Sequence, residues 1–127
     1  MEVNSQFLAD HREAAADFMR ASLKALDFCL TEEEKCVDMI SQLAADNNQG
    51  SAFPREQQAR TWGVESQWVR ASTFGPPGVQ TVEGWQSEYE MAQKFGGLKN
   101  PPAIETMMDP DLVASLYQDG KLIWPEK

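Results

Sequence analysis

Along the 127 residues, apolar side chains recur at helical spacing in about five segments, and no stretch alternates in the way a half-buried strand does. That pattern predicts an all-α chain. It also poses a packing problem, because no sheet is encoded to receive the apolar faces of the helices. The length suits one domain, residues 1–127, with a single core.

Local signals divide the chain. Asp10 is placed to cap a helix from His11 to about Leu30, with Phe18, Ser22, Ala25 and Cys29 on one stripe and Met19, Leu23, Leu26 and Leu30 on the next. Thr31 and Glu34 have the spacing of a capping box for a second helix carrying Val37, Ile40, Leu43 and Ala44, which ends in DNNQGS. Pro54 opens a third helix that reaches about Ser72. TFGPPGVQT is a loop, and Thr81 caps a fourth helix bearing Val82, Trp85, Tyr89, Ala92 and Phe95. Gly96 and Gly97 stop that helix, and Leu98 can fold back on its last turn. Asp109 and Pro110 start a short final helix with Leu112, Val113, Leu116 and Tyr117 on its apolar side, and Gly120 ends it.

Charge narrows the functional classes. Eleven basic residues against twenty acidic ones give a net charge of −9. Such a surface repels phosphate backbones and anionic bilayers, so no nucleic-acid partner is expected. No apolar run approaches the roughly 20 residues that span a bilayer, so no membrane insertion is expected. The N-terminus MEVNSQFLADHREAAAD lacks a basic start followed by an apolar stretch. The chain as written is therefore expected in the cytoplasm, or in the periplasm if it is a piece of an exported protein.

The sequence argues against most chemistry. His11 is the only histidine and falls in the first turn of a helix, with no serine or cysteine placed beside it. The prolines of GPPG remove the backbone donors a phosphate cradle needs. The TEEE run is accounted for by the helix dipole and by capping, and no metal site or other cofactor is expected. Cys29 and Cys36 would lie about 10.5 Å apart along an uninterrupted helix, too far for a disulfide, although a turn at Thr31 would bring them closer. They are expected to be two small buried apolar side chains. The chain is thus expected not to be an enzyme.

What remains is aromatic and methionine-rich: four Trp, six Phe, two Tyr and six Met. Trp62 and Trp68 are about 240° apart around their helix, so one flat partner cannot bury both. Together with Phe74 in the adjacent loop, they form the candidate ligand-binding set. Leu122, Ile123 and Trp124 in the tail need something to lie against and are the candidate self-association set.

The stretch FLADHREAAADFMRASLKALDFCLTEEEKCVDMI resembles the region after the second hinge crossing in ABC-transporter solute-binding proteins of the nitrate, sulfonate, taurine and thiamine-pyrimidine-precursor class. GWQSEYEMAQKFGGLKNPP is similar to the penultimate helix of that family, and MMDPDLVASLYQDGK to its closing helix. The resemblance implies the C-terminal helical segment of a type II periplasmic binding protein lobe, with small-molecule binding as its function. It carries over no ligand-contacting residue. Two readings follow: a non-enzymatic solute-binding relative or fragment, and a helical interaction module that self-associates, as a dimer, through apolar faces left without a scaffold.

Overall fold

The computed structural model describes residues 3–72, 75–97 and 100–124. Helix dominates them: α1 (Ser5–Asp10), α2 (Arg12–Thr31), α3 (Glu33–Asp46), α4 (Arg55–Arg70), α5 (Val82–Phe95) and α6 (Pro110–Ala114), with one 3-10 turn at Ile104–Thr106. A small antiparallel hairpin, β1 (Tyr117–Gln118) and β2 (Lys121–Leu122), follows. The all-α expectation holds. The chain divides into two compact units, residues 1–20 with 73–127 and residues 21–72, and the boundary falls within α2.

In the unit of residues 21–72, α3 and α4 pack on each other, and Leu23, Cys36, Val37 and Ser66 are buried. Ser66 is 1% exposed, and so small a side chain at a helix contact lets two backbones approach closely. Three side chains of α4 fasten it to the α2–α3 corner. Arg55 Nε donates to Asp38 Oδ1 at 2.6 Å and its Nη2 donates to Glu34 Oε2 at 2.5 Å. Trp62 Nε1 donates to the Cys29 carbonyl at 3.2 Å. Arg70 Nη2 donates to the Leu30 carbonyl at 2.6 Å and to Glu33 Oε1 at 2.5 Å.

The α2–α3 corner corrects two expectations. Thr31 is the last residue of α2, and its hydroxyl turns back to donate to the Asp27 carbonyl, so it forms no capping box with Glu34. Glu32 takes the N-cap position of α3, at φ −121° and ψ 52°, without a side-chain cap bond. The helix therefore breaks between the two cysteines, their Cα atoms come within 5.0 Å, and Cys29 and Cys36 form a disulfide. The pair expected to be free and apolar is covalently joined, because the axial distance along one helix does not apply across a corner.

In the other unit, Ile104, Leu112 and Leu116 are buried, with Leu116 at 1% exposure. Capping builds several of its elements. Asn4 caps α1 by accepting from the Gln6 and Phe7 amides at 2.9 and 3.2 Å. Asp10, expected to cap the long helix, instead ends α1 and accepts from Gln6 Nε2 at 2.9 Å. The better-placed Asn4 adds a turn of helix upstream that apolar periodicity does not reveal. Thr81 caps α5 through the Gly84 amide at 3.0 Å, and Asp109 caps α6 through the Leu112 amide at 3.0 Å. Gly97, at φ 66°, supplies the left-handed stop after α5. The expected fold-back of Leu98 lies outside the described residues. Asp119 and Gly120, both at positive φ, make the two-residue turn of the hairpin. Tyr117 Oη donates to the Pro77 carbonyl at 2.7 Å and ties the hairpin to the proline loop.

Candidate functional site

The candidate ligand set separates in the structure. Trp62 is half-buried in the unit of residues 21–72, with its indole N–H committed to Cys29. Trp68, on a different side of α4, is 78% exposed. Val64 lies one turn before it and is also exposed, so the two form an apolar pair facing away from Ser66. Phe74 lies outside the described residues. On α3, Met39 and Leu43 repeat the pattern of an exposed apolar pair four residues apart.

The unit of residues 1–20 and 73–127 contains a cleft of about 660 Å³ whose lining includes Leu8, Met19, Met107, Met108 and Val113. One wall carries Asp109, and its charge is already engaged. Arg12 Nη1 donates to Asp109 Oδ2, and Arg12 Nη2 donates to Asp109 Oδ1 at 3.1 Å. The Arg12 hydrogen bond holds the Asp109 carboxyl below its ordinary value of 3.8, outweighing partial burial, with the Leu112 amide adding in the same direction. The same hydrogen bond raises Arg12. This carboxylate thus caps α6, braces the start of α2 and contributes an ion pair, not a lone charge, to the cleft. Sequence reading identified Asp109 as a cap. Its pairing with a residue 97 positions away has no sequence signal, because only the fold brings them together.

Helix α5 is sparsely covered. It has 14 residues, an apolar face at helical spacing, and no buried residue. On that face Val82, Tyr89 and Ala92 are half-buried; the Tyr89 hydroxyl donates to the Pro102 carbonyl at 2.6 Å, and the 3-10 turn packs against the helix. Trp85 remains 45% exposed and Phe95 73% exposed. At the end of the hairpin, Leu122 is half-buried in register with Tyr117, whereas Ile123 and Trp124 are exposed.

Elements of chemistry are spread apart. The His11 ring lies 4.9 Å from that of Phe7, and the two sulfurs are joined to each other. Among the described residues no cluster of histidine, cysteine and acidic side chains could hold a metal ion, and no helix is long and apolar enough to cross a membrane. The chain matches no protein-family model, no curated protein and no solved structure.

Proposed function

We propose that this chain is a non-enzymatic helical interaction module, whose apolar helix faces are closed by protein–protein contact, including dimerisation through Leu122, Ile123 and Trp124. One observation carries the reading: α5 is an amphipathic helix of 14 residues with none of them buried. A helix this short draws its stability from burying its apolar face, so a face left open calls for a partner. The exposed pairs Met39–Leu43 and Val64–Trp68 support the same conclusion in the other unit. The disulfide supports a non-catalytic role for the cysteines, because neither sulfur is a thiolate nucleophile.

Light scattering over a concentration series tests self-association. The apparent mass should rise above that of one chain, and Ile123→Ser with Trp124→Ser should lower it. A single-chain mass at the highest soluble concentration overturns dimerisation.

The cleft beside Met107 and Met108 supports a second reading, small-molecule binding. Its volume lies within the usual range for ligand sites, and its lining is rich in methionine. Because Arg12 is held by Asp109, this cleft suits a neutral, mostly apolar ligand better than an anion such as a sulfonate. Titration with sulfonates, nitrate and pyrimidines, followed by tryptophan fluorescence and by calorimetry, would test it. Silence with all three classes removes the solute-binding reading expected from the resemblance.

A further inference from the structure

We infer that the open side of α5 is a docking seam for a basic amphipathic helix of another protein. This rests on the interaction reading and adds the chemistry of the partner.

The seam follows from what α5 leaves uncovered. With Tyr89 engaged at Pro102, the side still open carries Trp85, Glu88 and Phe95, with the half-buried Ala92 between Glu88 and Phe95. These positions have the alternating three- and four-residue spacing by which one helix lies along another. Trp85 and Phe95 are large apolar anchors at either end, the side-chain types that dominate binding energy at interfaces. Glu88 stands between them, in the middle of the seam.

Charge decides the occupant. Among the described residues the Glu88 carboxylate accepts only from the adjacent Ser87 hydroxyl at 2.9 Å, and Glu90 accepts only from Gln86 at 2.8 Å. Glu83 and Glu90 lie together on the side of the helix away from this seam. No salt bridge among the described residues involves any of the three. The arginines at 12, 20, 55, 60 and 70 and the lysines at 24 and 35 are each paired with an acid elsewhere. The one cation on α5, Lys94, sits 5.2 Å over the Phe95 ring. A second copy of α5 laid on this seam would bury Glu88 against apolar side chains or against another Glu88, leaving a desolvated carboxylate unpaired. A partner helix with lysine or arginine opposite Glu88 pairs that charge. The net charge of −9 steers such a partner towards the chain.

The probe is a fluorescein-labelled amphipathic peptide of leucine and lysine, with a second peptide in which glutamate replaces lysine. Fluorescence anisotropy with the full chain should show saturable binding of the lysine peptide, weakening as salt is raised, and none of the glutamate peptide. Glu88→Lys should weaken binding by about tenfold or more, and Glu88→Gln by less. Glu65→Lys, which makes the same change in net charge on an exposed side chain of α4, should leave affinity within about twofold. Trp85→Ala with Phe95→Ala should abolish binding, while circular dichroism shows helix content retained. Equal weakening by Glu65→Lys and Glu88→Lys would mean non-specific attraction and overturns the seam, as does no binding by the lysine peptide. If that peptide fails while light scattering still shows self-association, the seam is wrong and the interaction reading stands. If both fail, neither stands.

Discussion

Reducing the Cys29–Cys36 disulfide should destabilise the unit of residues 21–72 far more than its surroundings suggest. The bond closes a loop of seven residue steps across the α2–α3 corner. Chain-entropy arithmetic for a loop of about eight residues gives about 2.5 kcal/mol of stabilisation. Unfolding roughly fifty residues carries an entropy of about 0.11 kcal/mol/K, so the midpoint should fall by about 20 °C on reduction. The loss should be seen at Trp62, because its indole hydrogen-bonds the carbonyl of Cys29 itself. The assay is thermal unfolding followed by far-ultraviolet circular dichroism and tryptophan fluorescence, with and without a dithiol reductant, alongside Cys29→Ser with Cys36→Ser. Thiol titration of the untreated chain should detect no free cysteine. Two titratable thiols, or a midpoint that moves by less than about 3 °C on reduction, would refute the reasoning.

Gly63 lies inside α4, and a Cβ built there meets nothing within 4 Å, so Gly63→Ala should stabilise the chain by about 1 kcal/mol in urea unfolding. The Ser41 hydroxyl is buried on α3 without a hydrogen-bond partner, so Ser41→Ala should stabilise by about 0.5–1 kcal/mol rather than destabilise. Asp109 has its folded-state pKa lowered by Arg12, so its contribution is fully present above the ordinary value of 3.8 and is lost as pH falls through the lower, folded value. Acid titration followed by circular dichroism should therefore show a flatter acid limb for Asp109→Asn, whose amide still caps α6.

Signals carried by a residue and its near neighbours were legible in the sequence. Thr81 and Asp109 cap the helices they were expected to cap, Gly97 supplies the left-handed stop after α5, and apolar periodicity located the four longest helices. These depend on backbone donors and dihedral angles within a few positions of the residue concerned. Two local signals failed through competition. Asn4 took the capping role nearest the N-terminus, and Thr31 bonded back to Asp27 instead of forward to Glu34. The Asp119–Gly120 hairpin turn was also local, but flanking strands of two residues are too short for alternation to show.

Sequence by itself therefore determined the helical class, most helix ends and the acidic character of the surface, because periodicity, capping and charge are properties of neighbouring residues. Tertiary structure alone decided that Cys29 meets Cys36, that Arg12 takes Asp109, that Trp62 is spent on a backbone carbonyl while Trp68 is not, and that Tyr89 is covered while Trp85 and Phe95 are left open. Each of these depends on which apolar faces meet and at what angle, and many packings satisfy the same periodicity before the chain folds.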